Sequence, residues 1–123
     1  MHREKIMVNK IRVSFFLPEN LQQEVKEQMI KEGYDLKGKS RWITEAIERL
    51  FLIKTYPDLV KINDEMEGLG KLDSISIARK LKYRLDEAVI NIRKAYPAIE
   101  GVQSRIVRTA IVQRLLRGDE FSY

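Results

Sequence analysis

The 123-residue chain contains no cysteine and one histidine, His2. Without thiols there is neither a disulfide frame nor a thiolate metal site, and a lone imidazole leaves histidine chemistry with little to work from. Long apolar runs are missing too. Nothing approaches the roughly 18 consecutive apolar residues of a membrane-spanning helix, and Met1-His2-Arg3-Glu4-Lys5 has none of the apolar stretch of a secretory signal. The expectation is a cytoplasmic protein that is not an enzyme, needs no metal or other cofactor, and has no membrane partner.

What is present is a chain 44% hydrophobic, enough for one compact core or two closely paired subdomains. The net charge of +5 favours a polyanionic partner. It is unevenly placed: residues 1–56 carry +3, residues 57–74 carry −3 and residues 75–123 carry +5. The acidic middle stretch, with a short helical pattern at Leu59, Ile62 and Met66 before Gly68 and Gly70, reads as a linker that does not face a polyanion.

The flanking stretches read as a diverged tandem repeat. Between Lys10 and Phe51 the pattern gives a short alternating strand, a turn at Leu17-Pro18, a helix, a glycine-containing turn and a second helix; the same order is read between Arg79 and Leu115. Leu17-Pro18-Glu19-Asn20-Leu21 aligns with Leu85-Asp86-Glu87-Ala88-Val89 at an offset of 68, and Ser40-Arg41-Trp42-Ile43 with Ser104-Arg105-Ile106-Val107 at 64, which makes the first helix-to-helix stretch four residues longer than the second. The expected organisation is a repeat over 10–56, an acidic linker over 57–74 and a repeat over 75–117. One strand with two helices buries too little and leaves its backbone groups unpaired. Two copies in one chain supply each other's missing half.

Alternation assigns the strand faces. Val13, Phe15 and Leu17 belong in the core, and Arg12, Ser14 and Phe16 face out. In the second strand Leu81, Tyr83 and Leu85 alternate with Lys80, Lys82 and Arg84, and three unpaired cations are too costly to bury. Helical stripes then cover the back: Leu21, Val25 and Met29, then Ile43, Ala46, Ile47 and Leu50, and in the second repeat Val89, Ile92 and Tyr96, then Val107, Ala110 and Ile111. Trp42 and Tyr83 read as packing residues rather than base-stacking platforms.

Gly33-Tyr34-Asp35-Leu36-Lys37-Gly38-Lys39-Ser40 matches the phosphate-loop pattern letter for letter. Its context contradicts nucleotide hydrolysis, because that loop follows a buried strand and here it follows the polar, helix-periodic Gln22 to Glu32. Ser40 and Ser104 instead read as caps of the second helices, whose free N–H groups and positive dipole ends suit an anion.

A strand with outward polar residues, then Leu-Pro or Leu-Asp, a helix, a short turn and a Ser-capped helix is similar to the ribbon-helix-helix DNA-binding proteins typified by the Arc and Met repressors. The resemblance spans residues 10–52 and 79–116. It implies an α+β, mostly helical fold in which two tandem repeats form an intramolecular pseudo-dimer with a two-stranded antiparallel ribbon entering the DNA major groove. By position it makes Arg12, Ser14, Phe16, Lys80, Lys82 and Arg84 the base-contacting residues, with Phe16 either meeting a thymine methyl or packing beside the N-terminal arm. It makes Lys39, Ser40, Arg41, Gln103, Ser104 and Arg105 the phosphate contacts. Two fused repeats, with Arg41-Trp42-Ile43-Thr44-Glu45-Ala46-Ile47-Glu48-Arg49-Leu50 and then Tyr56-Pro57-Asp58, resemble the TraY accessory proteins of conjugative transfer origins. This implies double-stranded DNA and a relaxase as partners, with several copies lining up on DNA. A transcriptional repressor and an antitoxin-like module that also grips a protein remain the alternatives.

Overall fold

The computed structural model describes residues 10–35, 37–62 and 70–118. Two strands and five helices follow in the order β1 (Lys10–Leu17), α1 (Glu19–Lys31), α2 (Lys39–Leu52), α3 (Tyr56–Ile62), β2 (Lys71–Ala78), α4 (Arg79–Ala95) and α5 (Val102–Arg117). The architecture is α+β and mostly helical, with β1 and β2 paired antiparallel in a two-stranded sheet. The short helical pattern in the acidic stretch is α3; Met66 and Gly68 fall outside the described residues, as do His2 and Leu36.

β1 forms where alternation places it, with Val13, Phe15 and Leu17 buried and Lys10, Arg12, Ser14 and Phe16 exposed. The second strand does not. β2 lies upstream of the expected one, and Lys80, Lys82 and Arg84 sit on α4, which leaves the strand at Arg79 without a loop. Leu81 and Leu85 are four apart, a spacing that fits both a strand face and a helix stripe. Tyr83 separates the two readings. It is 63% exposed, on the opposite side of the helix from Leu81, rather than packed inside. The stripe actually buried is Leu81, Leu85, Ala88 and Ile92, in a segment rich in good helix formers.

Upstream, β-branched Ile75 and Ile77 alternate with Ser74 and Ser76 and form the strand. The linker expected over 57–74 therefore ends by Gly70, and its last four residues belong to β2. The strand-to-helix junction matching Leu17-Pro18-Glu19 is Ile77-Ala78-Arg79, at an offset of 60 rather than 68. α4, with 17 residues against 13 in α1, is the longer first helix, which reverses the expected inequality. Just before β2, Gly70 runs against β1 so closely that a Cβ there would stand 2.7 Å from the Leu17 backbone nitrogen.

The helices close over the inner face of the ribbon. α1 buries Leu21, Val25 and Met29, and α2 buries Trp42, Ile43, Ala46, Ile47 and Leu50. α5 touches β1, α1, α2, α3 and α4, and is buried on nearly every side. Each fully buried aliphatic side chain contributes about 1.5–3 kcal/mol, and one core draws such side chains from both strands and all five helices. Val89 and Tyr96, expected in the α4 stripe, are only partly buried at its margin.

Candidate nucleic-acid interface

Opposed residues of an antiparallel pair share a face. The register sets Lys10 against Ala78, Arg12 against Ser76, Ser14 against Ser74 and Phe16 against Leu72. These eight make the outer surface of the ribbon, with Ser14 and Ser74 at its centre. The Arg12 guanidinium reaches diagonally over the middle, donating from Nη1 to Ser74 Oγ at 2.6 Å. Phe16 and Leu72 form an apolar pair, 51% and 65% exposed.

Sequence reasoning placed Arg12, Ser14 and Phe16 on this face and missed Leu72, Ser74 and Ser76, although the Ser-Ile-Ser-Ile alternation carried the signal. The three cations assigned to the second strand are elsewhere. Lys80 is exposed in the first turn of α4, just past the Lys10–Ala78 end of the ribbon. Lys82 pairs with Asp86 at 2.5 Å, and the Arg84 guanidinium lies 5.0 Å from the centroid of the Phe51 ring.

A two-stranded ribbon leaves backbone groups unpaired along both outer edges, and the first turns of α2 and α5 meet them. Ser40 and Ser104 are not N-caps; Gly38 and Gly101 hold those positions. Their hydroxyls accept from the strands instead, Ser40 Oγ from the Ser76 N–H at 3.4 Å and Ser104 Oγ from the Phe16 N–H at 3.2 Å. Gln103 Nε2 donates to the Ser14 carbonyl at 2.9 Å. Each helix N-terminus is thereby fastened beside one edge of the outer face. Backbone N–H groups at such ends are oriented toward an anion.

The cations expected there divide. Arg41 is exposed, stacked over Tyr34 at 4.5 Å and 4.0 Å from Glu45. Lys39 is bound to Asp73 at 2.9 Å in a partly exposed ion pair. Arg105 points the other way: it is 1% exposed and donates to the carbonyls of Val60 and Lys61 at 3.3 and 3.1 Å. It tethers α5 to the end of α3, where the last carbonyls of a short helix need donors, and in this position does not present a phosphate contact.

Two further buried arginines of α5 escaped the sequence reading, which placed cations outside the core. Arg108 donates to the Phe16 carbonyl at 3.2 Å, completing the β1 edge. Arg114, 2% exposed, donates to the Trp42 carbonyl and Glu32 at 2.7 Å each, to the Tyr34 hydroxyl at 3.0 Å and to Glu45 at 3.2 Å. Burial raises the pKa of Glu45, but its hydrogen bonds with the Tyr34 hydroxyl and Arg114, and the charges of Arg114 and Arg41, outweigh it and hold the carboxyl below its ordinary value.

The phosphate-loop look-alike joins α1 to α2 and follows no strand, and its lysine, Lys39, is held by Asp73. Among the described residues, no group of three or more His, Cys, Asp or Glu side chains could hold a metal ion, and no helix is long and apolar enough to cross a membrane. The outer face presents a guanidinium, five hydroxyls on the ribbon and its edges, one apolar pair, and two flanking helix N-termini. Comparisons with protein-family models, curated proteins and solved structures yield no match to this chain.

Proposed function

We propose that this chain binds double-stranded DNA sequence-specifically, laying its two-stranded ribbon in the major groove as a single-chain pair of ribbon-helix-helix repeats. The observation that carries this reading is the outer face of the ribbon, centred on Ser14 and Ser74 and flanked by the N-termini of α2 and α5. A two-stranded ribbon fits the major groove, where arginine pairs with guanine and serine with several bases. Helix N-termini beside it suit the phosphates that line the groove.

The tandem reading draws support from equivalent contacts. With strands related by an offset of 60 and second helices by 64, Ser40 and Ser104 correspond, and so do Ser76 and Phe16. The Ser40–Ser76 and Ser104–Phe16 hydrogen bonds are thus one contact made twice about an approximate two-fold axis through the Ser14–Ser74 pair. In this arrangement Arg12, Ser14, Phe16, Leu72, Ser74 and Ser76 are the base-facing residues, with Lys39 and Arg41 beside the phosphates. The setting we propose, from the sequence resemblance, is an accessory factor at a conjugative transfer origin, with a relaxase as protein partner.

Selection of bound sites from a random duplex pool tests the reading. A single enriched motif a few base pairs long, lost on Arg12→Ala, is the expected result. Recovery of no motif, with retention depending only on DNA length and salt, rejects sequence-specific binding.

A further inference from the structure

The two ends of the ribbon differ in chemistry. Around the Arg12–Ser76 pair, Lys10, Arg79 and Lys80 are all exposed. Around the Phe16–Leu72 pair, Glu19 and Lys71 neutralise each other in an ion pair of 2.5 Å. One end carries exposed cations, the other the exposed apolar pair.

Phe16 and Leu72 face each other directly across the strands and point away from the core. The Phe16 backbone is held on its outer edge, because Ser104 accepts from its N–H and Arg108 donates to its carbonyl, both at 3.2 Å. Its ring has only two rotatable bonds left to order on contact, so it meets a partner at low entropic cost. Such a pair buried against the polar edges of G·C pairs would desolvate donors and acceptors without replacing them. In the major groove, the apolar group on a base edge is the thymine 5-methyl.

We propose that the Phe16–Leu72 pair reads thymine 5-methyl groups at one end of the bound site, while Arg12 reads guanine toward the other, which gives the chain a fixed direction on DNA. The inference rests on the DNA-binding reading above. A second copy of the chain, or a protein partner, is the competing occupant of the apolar pair, but neither accounts for its place on the same surface as Arg12 and beside the N-terminus of α5.

The test replaces each thymine of the selected duplex, one at a time, by deoxyuridine, which removes the methyl and leaves base pairing unchanged. Affinity is read by fluorescence anisotropy. One or two positions confined to one end of the site should each lose about 4-fold in affinity, the worth of one buried methylene. The Phe16→Ala, Leu72→Ala double variant should bind the thymine and deoxyuridine duplexes equally while keeping its preference at the guanine end. Both side chains are exposed, so the variant is expected to fold, and circular dichroism verifies it. If the unaltered protein selects its site yet tolerates deoxyuridine everywhere, methyl reading is overturned and DNA binding stands. If no duplex is bound specifically, both fall together.

Discussion

Arg114 of α5 lies over the indole of Trp42 in α2, its guanidinium carbon 4.5 Å from the ring centroid, while donating to the carbonyl of the same residue at 2.7 Å. The pair latches the last helix of the fold to the first half of the chain. Glu32 completes it, accepting from Arg114 at 2.7 Å and from the Trp42 indole N–H at 3.1 Å. Removing one member of a buried ion pair strands the other, at a cost of about 3–5 kcal/mol. Arg114→Ala should lose about that much in urea denaturation, and Arg114→Met combined with Glu32→Gln should recover a large part of it.

Acid should loosen the same region. The Glu45 carboxyl is held below its unfolded value, so its contribution is present above the ordinary glutamate pKa of about 4.3 and is lost as pH falls through the lower folded value. Stability measured from pH 6 down to pH 3 should fall more steeply in the native sequence than in Glu45→Gln. Parallel curves would show that the carboxylate is not linked to folding.

Base reading should follow the ribbon and not the charge of α4. Arg12→Ala is expected to cost roughly 1–3 kcal/mol at the preferred site and to relax one or two base pairs. Lys82→Ala and Arg84→Ala, on a helix whose side chains engage Asp86 and Phe51, should leave base preference unchanged. Competition binding with single-base-pair variants of the site measures both.

Lys39 is shared between Asp73 and the proposed phosphate. Lys39→Ala should weaken binding to every sequence alike and reduce the salt dependence by about one counterion. Asp73→Asn removes the internal competitor and should tighten non-specific binding. ATP with magnesium should alter neither, as isothermal titration will show.

The first strand and the α1 and α2 stripes were legible because period and residue type agree on one kind of element, and the pairing of two distant strands because a lone strand leaves its backbone groups unpaired. Val13, Phe15 and Leu17 alternate in a stretch of β-branched and aromatic residues that favours a strand, and Ile43, Ala46, Ile47 and Leu50 fit a helix. The stretch from Leu81 to Leu85 fits both, and the choice between them put Lys80, Lys82 and Arg84 of α4 in the place that Leu72, Ser74 and Ser76 hold on β2. The buried arginines were hidden for another reason. Arg105, Arg108 and Arg114 are compatible with the core because backbone carbonyls and carboxylates of distant segments converge on them, and no local pattern records that convergence. In sequence Ser40 and Ser104 read as helix caps and phosphate contacts, but Gly38 and Gly101 hold the cap positions and the serine hydroxyls accept from the strands.

If β1 and β2 pair within one chain, the protein should sediment in dilute solution as a folded monomer of 14.5 kDa. An obligate dimer at micromolar concentration would mean that strands are exchanged between chains. Only at concentrations low enough to dissociate that dimer would binding to a single site then rise with the square of protein concentration instead of linearly.

The ribbon also sets an order of events during synthesis. Ser14 and Ser74 are opposite each other yet 60 positions apart. At roughly 5–20 residues per second, several seconds separate the making of the two strands. Throughout that interval β1 has its apolar row and both hydrogen-bonding edges without their eventual partners, and neighbouring chains on one message carry the same unsatisfied strand. The long closure that pairs the two strands within one chain therefore leaves the unfinished chain open to edge-to-edge association until β2 follows.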